Sequence, residues 1–304
     1  LYFELLRFIK IADFYDNRYV TYIERMGKDM VLKLFCIDPS YLLSEILKKG
    51  RAAIFFSATL TPLDYYRDVL GGDEEDYIIR FLSPFPKDNL CLLVGDTIST
   101  KYKDRDKTYL NVVEYIEEFV SQKKGNYFVF FPSYKYMEQV YLSFVDRNPD
   151  IRTIIQESFM TEEDREKFLN RFNLETEDTM VAFAVLGGIF SEGIDLIGDK
   201  LIGAVIVGVG LPQICFERDI IREYFQSENG LGYEYAYMYP GMNKVLQAAG
   251  RVIRSEKDKG AILLIDERFG TIKYKRLYPK EWSHNKRVSN SKFIRVKLME
   301  FWKN

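Results

Sequence analysis

From residue 83 onward, short apolar runs alternate with longer amphipathic segments, and this rhythm limits the chain to few folds. The apolar runs have the length of buried strands and lie at residues 90–94, 127–131, 151–155, 180–184, 204–208 and 261–265. Helical patterns lie between several of them, at residues 109–124, 134–145, 161–172, 219–227 and 243–255. Because such alternation favours a parallel sheet covered on both faces, the sequence predicts an α/β fold.

Length and composition are those of a globular protein. The chain has 304 residues, 47% of them hydrophobic and 29% charged, which excludes a disordered chain and leaves room for one large domain or two modest ones. The longest mostly apolar run, residues 201–212, is too short to span a bilayer. No basic-then-apolar leader opens the sequence, so we expect a cytoplasmic protein without membrane partners.

The cysteines predict no metal centre within the chain. Cys36, Cys91 and Cys215 lie far apart, and His284 is the only histidine, so neither zinc-type nor iron–sulfur ligand spacing is present. We expect reduced, buried cysteines that behave as small apolar residues.

Charge is distributed unevenly along the chain. The net charge is −2, yet residues 271–304 hold ten Lys and Arg against two Glu. A basic end on an acidic body is typical of a phosphate-binding surface, and equally of a solvated helix. The sequence leaves both readings open.

The first 82 residues are predicted to form a separate segment. Alternating residues on both sides of a turn at 25–29 predict a β-hairpin, and a short helix is expected at 44–49. Residues 52–56 read as a buried strand, followed by a helix at 62–70. Breakers at 71–76 and 83–86 place the boundary between them, giving domains 1–82 and 83–304.

Two arginines follow Gln247 at helical spacing. If the helix reaches residue 255, the side chains of Gln247, Arg251 and Arg254 leave one face of it, at i, i+4 and i+7. The residues between them, Ala248, Ala249 and Gly250, are small and leave the surrounding helix surface without large side chains. Guanidinium groups bind phosphate in a bidentate way and keep their charge, so this pattern suits a phosphoryl-transfer site. The alternative is an ordinary solvated helix face.

Side chains with hydroxyl groups follow the strand at 127–131, at its carboxyl end. Ligands of parallel sheets bind at the carboxyl ends of the strands. Ser133 and Tyr134 can hold a nucleic-acid phosphate together with the start of the next helix. The alternative is a simple N-cap. Tyr102 and Arg105 lie in a charged loop, residues 101–107, which can contact phosphate but which we expect to be merely exposed.

A second loop follows the strand at 180–184. Gly187 and Gly188 permit close backbone approach to a ligand, and Ser191, Glu192, Gly193 and Asp195 add polar groups. Asp195 can accept hydrogen bonds from a ribose hydroxyl, and Glu192 can pair with an arginine. A plain glycine-rich turn is the alternative. Further on, Arg268 is expected to support the site through an ion pair.

Four ordered segments resemble helicase motifs of superfamily 2. Phe56–Pro62 resembles motif III, Phe130–Tyr134 motif IV, Gly187–Asp195 motif V, and the Q-x-x-G-R-x-x-R run that begins at Gln247 resembles motif VI. In order and wording they are similar to the DinG/XPD branch of DNA helicases, over residues 54–282. The resemblance implies the second, RecA-like motor domain, with residues 1–82 as a remnant of an insertion and of the first motor domain.

The family resemblance assigns roles to these residues. Arg251 and Arg254 would bind the γ-phosphate of ATP, Gln247 would orient water, and Asp195 would hold the ribose. The nucleotide side would also include Glu192, Gly193 and Gly250. Single-stranded DNA would contact Ser133, Tyr134, Gly187, Gly188 and Ser191. It further implies 5′→3′ unwinding in DNA repair or replication.

No phosphate loop and no acidic Mg²⁺ box is present in the sequence. We therefore expect ATP and Mg²⁺ to be shared with a missing first motor domain, any iron–sulfur cluster to lie in that missing part, and the chain alone to be inactive. Two alternatives stay open at this point: a non-catalytic RecA-like module that binds nucleic acid, and half of an RNA helicase.

Overall fold

The computed structural model describes residues 2–173, 178–190, 196 and 198–303. The helices are α1 (Tyr2–Ala12), α2 (Ser40–Leu47), α3 (Leu63–Val69), α4 (Arg105–Val120), α5 (Tyr134–Arg147), α6 (Glu162–Asn170), α7 (Phe216–Asn229), α8 (Tyr239–Ala249), α9 (Ile272–Lys275) and α10 (Ser291–Lys303). The strands are β1 (Tyr19–Met26), β2 (Asp29–Cys36), β3 (Leu90–Gly95), β4 (Asn126–Phe131), β5 (Arg152–Ile155), β6 (Met180–Val185), β7 (Gly203–Val207), β8 (Gly260–Ile265) and β9 (Lys286–Arg287). None of the helices in these ranges combines the length and apolar character needed to cross a membrane.

The larger of two compact units contains Arg80–Leu211 and Pro240–Asn304 and is built on a seven-stranded sheet. The strand order is β5-β6-β4-β7-β8-β3-β9, and the pairings are parallel. All six apolar runs of the sequence form strands here, which confirms the predicted α/β class. Only the two-residue β9 has no counterpart in the pattern.

Alternate residues of each strand supply the two faces of the sheet, because side chains in a strand point to opposite sides in turn. One face carries Leu93, Val129 and Phe183 beneath helices α4, α5 and α10. On the other face, Phe128 stacks on Phe172 with ring centroids 4.8 Å apart. Burial of both faces explains why the strands read as continuous apolar runs rather than as alternating ones.

The smaller unit contains Leu1–Ile79 and Pro212–Tyr239. Its hairpin pairs β1 with β2 from Tyr19↔Cys36 to Met26↔Asp29, as the alternation predicted. The sequence assigned residues 212–239 to the second domain, and in the structure they belong to this unit instead. Aromatic contacts explain the difference: Tyr235 packs edge-on against Tyr65, with centroids 4.8 Å apart, and its hydroxyl donates to Asp68 Oδ2 at 2.6 Å.

The predicted strand at residues 52–56 is wrong. These residues form no strand, and Ile54 and Phe56 are 85% and 89% exposed. A strand requires a hydrogen-bonded neighbour, and the only sheet among the described residues of this unit is the β1–β2 hairpin. Apolar character alone therefore did not produce a buried element. The helix α3 after it is present, close to where it was predicted.

Candidate nucleotide and nucleic-acid site

The loops that carry the predicted site residues follow β3, β4 and β6, at the carboxyl edge of the parallel sheet. Ligands bind at this edge in open α/β sheets, so the topology gathers these loops where a site is expected. The segment after helix α8 belongs to the same unit.

Ser133 is the N-cap of α5, which is the alternative to a phosphate contact that the sequence left open. Its φ of −162° and ψ of 153° are extended, and its Oγ accepts from the N–H of Tyr136 at 3.4 Å. Arg105 Nη1 donates to the same oxygen at 3.3 Å. Since a serine hydroxyl also has a proton to donate, capping leaves Ser133 able to bind a further acceptor.

Arg105 is half-buried rather than merely exposed, which corrects the expectation for its loop. Its Nε donates to the carbonyl oxygen of Thr100 at 3.1 Å, and its guanidinium carbon lies 4.7 Å from the Tyr136 ring centroid and 5.6 Å from that of Tyr102. Burial lowers the pKa of Arg105. No carboxylate of the described residues forms an ion pair with it, whereas Tyr102 is 78% exposed beside it.

Tyr134 is half-buried, and its hydroxyl accepts from Gln156 Nε2 at 2.9 Å. Gln156 is 3% exposed, and its Oε1 accepts from the N–H of Val185 at 2.9 Å. Sequence reasoning missed Gln156. The available signal was a polar residue directly after the apolar run at 151–155, where a strand leaves the core.

The turn after β6 requires glycine at Gly187. Its φ is +72°, and a Cβ there would lie 2.8 Å from Lys244 Cε of α8. A Cβ on Gly188 would lie 3.0 Å from the carbonyl oxygen of Val185. Lys244, also missed by sequence reasoning, thus lies against this turn. The four other residues predicted in this loop, Ser191, Glu192, Gly193 and Asp195, lie outside the described residues.

The prediction that Gln247, Arg251 and Arg254 share one helix face is wrong. Helix α8 ends at Ala249, and the half-buried Gln247 lies in its last turn. Gly250 is exposed directly after it. The chain turns because the buried carboxylate of Asp258 accepts the N–H groups of Arg254 and Ser255, at 2.7 and 2.8 Å. The two arginines therefore leave from a loop.

Arg251 lies beside the segment that resembles motif V. It is half-buried and lines, with Phe128, Phe190, Leu196 and Leu201, a gap that has no room for a water molecule. Phe190 lies within the predicted loop, and Leu196 directly follows it. Arg254 is exposed three residues later. The fold thus brings the first arginine of the motif VI-like run next to Phe190 of the motif V-like loop and to Leu196, which follows that loop.

The predicted ion pair of Arg268 is confirmed. Arg268 Nε and Nη2 donate to the two carboxylate oxygens of Asp266 at 2.7 and 2.8 Å, and Asp266 is fully buried. Asp266 also accepts from the hydroxyl and the N–H of Thr100. These hydrogen bonds hold the loop after β3 against the loop after β8. Helix α4, whose first residue is Arg105, begins directly after the loop that follows β3.

Comparison with known proteins supports the interpretation of the motifs. The helicase C-terminal domain family matches residues 116–285. The chain is 27% identical to a probable ATP-dependent helicase of Methanocaldococcus jannaschii, over 88% of this chain and 41% of the relative. It is 25% identical to the ATP-dependent DNA helicase CHL1 of Candida albicans, over 89% and 36%. It is 26% identical to the general transcription and DNA repair factor IIH helicase subunit XPD of Dictyostelium discoideum, over 90% and 38%.

A solved structure named XPD helicase shares the fold, with a TM-score of 0.66 at 22% identity over 93% of this chain and 50% of that one. The chain spans less than half the length of the curated relatives it matches. Its fold, the order of its motifs and the family match agree. The chain belongs to the helicase C-terminal domain family, within the DinG/XPD type of superfamily 2 helicases.

Proposed function

We propose that the chain is the second RecA-like motor domain of an ATP-dependent DNA helicase, and that it completes an ATP site with a first motor domain. The position of Arg251 carries this proposal. It lines the same gap as Phe190 of the motif V-like segment and Leu196, which follows that segment, while the side chain of Arg254 is exposed. Two fixed positive charges on an otherwise acidic body suit a triphosphate.

On the nucleotide side, Arg251 and Arg254 bind the γ-phosphate and Gln247 orients the attacking water. Asp195 accepts from the ribose hydroxyl, with Glu192, Gly193 and Gly250 around it. We assign the Mg²⁺ ligands to the first motor domain as part of this proposal, in keeping with the absence of an acidic Mg²⁺ box from the sequence. When bound there, Mg²⁺ would supply positive charge that neutralises the charge developing on the phosphates.

On the nucleic-acid side, Ser133, Tyr134 and the turn with Gly187, Gly188 and Ser191 contact single-stranded DNA. Arg105 adds a positive charge next to Ser133. Closure on ATP and opening after hydrolysis move the strand in the 5′→3′ direction, in DNA repair or replication. The chain by itself binds nucleotide weakly and does not turn over, because the phosphate loop belongs to the partner domain.

The proposal is tested with Arg251→Ala in a protein that contains both motor domains. We expect DNA-stimulated ATP hydrolysis to fall by about 10³–10⁵-fold, the contribution of an arginine that stabilises phosphoryl transfer. Arg147→Ala is the matched control, because Arg147 lies at the end of α5, outside the helicase-like segments, and pairs with Glu117 at 2.9 Å. Its ATPase rate should equal that of the unchanged protein.

Three results would overturn parts of the proposal. Unchanged ATPase in the Arg251→Ala protein would remove Arg251 from the nucleotide site. Salt-sensitive DNA binding that responds neither to ATP nor to that substitution would indicate a non-catalytic binding module. Faster unwinding of RNA duplexes than of DNA duplexes would assign the chain to an RNA helicase.

A further inference from the structure

Gln156 connects two segments that are far apart in sequence. It follows β5 directly, and its backbone N–H extends the sheet by one more bond, to the carbonyl oxygen of Phe183 at 2.8 Å. The residue is 3% exposed, and both the oxygen and the nitrogen of its side-chain amide make a hydrogen bond. Oε1 accepts from Val185 N–H at 2.9 Å, and Nε2 donates to the Tyr134 hydroxyl at 2.9 Å.

The two partners lie at the start of both segments proposed to contact DNA. Tyr134 is the first residue of α5 and follows Ser133, and Val185 ends β6 two residues before the Gly187–Gly188 turn. Within that turn the N–H of Gly188 donates to the carbonyl oxygen of Val185 at 3.1 Å. A Cβ on Gly188 would lie 3.2 Å from Gln156 Nε2, so the amide also packs against the turn itself.

A buried amide with a donor on one side and an acceptor on the other fixes both partners at once. Rotating the amide by 180° would place its NH₂ group against the N–H of Val185, so only one orientation satisfies both bonds. Shifting either partner would leave a buried polar group unsatisfied, which is unfavourable. Gln156 therefore makes the position of Tyr134 depend on the position of the Gly187–Gly188 turn.

We propose that Gln156 is a positioning residue for nucleic-acid binding: it holds Tyr134 and the Gly187–Gly188 turn in one register, so that a single-stranded DNA backbone meets both. Gln156 does not touch the nucleic acid, because it is buried beneath the turn. Its role rests on the proposed function, since both segments are assigned to DNA there.

A double-substitution cycle on the full chain tests this role. The probe is a fluorescein-labelled oligothymidylate of about 20 nucleotides, read by anisotropy at low salt. Tyr134→Phe removes only the acceptor hydroxyl, and Gln156→Met removes both hydrogen bonds at similar volume. Loss of one buried hydrogen bond weakens binding roughly fivefold if it acts on the bound state. We expect each single variant to lose that much or more, and the double variant to lose no more than Gln156→Met alone.

Tyr141→Phe is the matched control. Tyr141 lies on the same helix and its hydroxyl accepts from Thr153 Oγ1 of β5 at 3.5 Å, farther along the same helix–strand pair. It should leave the affinity unchanged. A purely structural role for Gln156 predicts a lower melting temperature for Gln156→Met with unchanged affinity of the folded protein, and that result overturns the positioning role.

The failures of the two proposals are distinguishable. An unchanged chain that does not bind the oligonucleotide at all contradicts the proposed function, and the positioning role falls with it. If the unsubstituted chain binds the oligonucleotide and the effects of Tyr134→Phe and Gln156→Met on affinity multiply in the double variant, only the positioning role is contradicted. If Gln156→Met fails to fold, Gln156→Leu takes its place in the same cycle: effects that multiply with those of Tyr134→Phe reject the role, and a double variant no weaker than Gln156→Leu alone supports it.

Discussion

At the scale of single residues, Arg105 has the least usual environment in the site. A partly buried charge normally has an opposite charge beside it, since desolvation disfavours the charged form. The described surroundings of Arg105 offer a carbonyl oxygen, a serine hydroxyl and two aromatic rings. Such a site favours an anion supplied from outside, and the exposed Tyr102 ring beside it is available to stack on a base.

Arg105→Met should therefore weaken binding of single-stranded DNA and lower its salt dependence. Each phosphate contact on a single strand contributes about 0.7 to the slope of log K against log salt, so we expect the slope to fall by about that amount. Affinity titrations at several salt concentrations measure it. Arg147→Met, which removes an arginine of the same helix layer outside the site, should leave the slope intact. An unchanged slope for Arg105→Met would exclude a phosphate contact.

Asp258 is the residue that shapes the arginine loop. It is 6% exposed and accepts from the N–H groups of Arg254 and Ser255 and from the Ser255 hydroxyl at 2.7 Å. Burial raises the pKa of Asp258, but these hydrogen bonds outweigh it, so its pKa lies below the usual 3.8. A carboxylate with a depressed pKa stabilises the fold above its unfolded pKa and loses that contribution as the pH falls.

We expect Asp258→Ala to lower the free energy of unfolding by about 2 kcal/mol at neutral pH, because two backbone donors lose a charged acceptor. Urea unfolding at pH 7 and again below the usual aspartate pKa measures the change. The difference from the unchanged chain should shrink at the lower pH, where the carboxyl is increasingly protonated. Asp150→Ala removes an exposed aspartate and should have little effect at either pH. Equal losses at both pH values would contradict this account.

At the scale of elements, the turn after β6 depends on one glycine for two separate reasons. Gly187 and Gly198 both have φ of +72°, but a Cβ at Gly198 would meet nothing within 4 Å whereas one at Gly187 would meet Lys244. Alanine would have to adopt the same left-handed backbone conformation at either position, but only at position 187 would its methyl group also meet a neighbouring side chain. The two positions form a matched pair within one unit.

Gly198→Ala should lower the free energy of unfolding by about 1 kcal/mol, the cost of a left-handed conformation for a residue with a side chain. Gly187→Ala should cost more, because the added methyl displaces the Lys244 side chain. Combining Gly187→Ala with Lys244→Ala should reduce the excess to the Gly198→Ala level. Chemical denaturation of the variants measures these differences. An excess that persists without the Lys244 side chain would point to strain in the backbone alone.

The elements also show what the sequence can and cannot predict. The six strands were predictable because burial on both faces makes them continuously apolar. The end of α8 was not predictable, because the carboxylate that accepts hydrogen bonds where the chain turns, that of Asp258, comes nine residues after Ala249. Gln156 could be noticed in the sequence as a polar residue directly after an apolar run, but its two partners, Tyr134 and Val185, could not, since their sequence positions carry no sign of that contact.

Local periodicity was less reliable at the end of a helix than within the sheet. The roles given to the arginines of the Q-x-x-G-R-x-x-R run stay a prediction, but the helix assumed to present them ends at Ala249, too early to carry them. The strand expected at residues 52–56 failed for a related reason. Apolar character gives a tendency to be buried, and only a neighbouring strand can turn that tendency into a sheet.

At the scale of the whole molecule, the exposed segment at residues 54–56 should govern solubility. Ile54, Phe55 and Phe56 are adjacent and 85%, 50% and 89% exposed, a contiguous apolar surface of the kind that promotes association. We expect the chain to self-associate as its concentration rises, and the double change Ile54→Lys with Phe56→Lys to suppress this. Sedimentation velocity across a concentration series measures it.

Phe159→Lys is the control for that experiment, because Phe159 is 92% exposed but stands alone in its loop. It should not alter the sedimentation behaviour. Persistent association of the double-lysine variant would assign the effect to another surface.

The order of strands in the large sheet has a consequence for synthesis on the ribosome. β3 is the first of these strands to leave the exit tunnel, yet its main neighbour is β8, from Leu90↔Gly260 to Gly95↔Ile265. Until some 170 further residues have been translated, β3 is an apolar strand whose edges lack their partner strands. Such unpaired strands bind chaperones or aggregate before folding is complete. Codon changes that slow elongation between β3 and β8 should prolong that interval and lower the yield of folded protein.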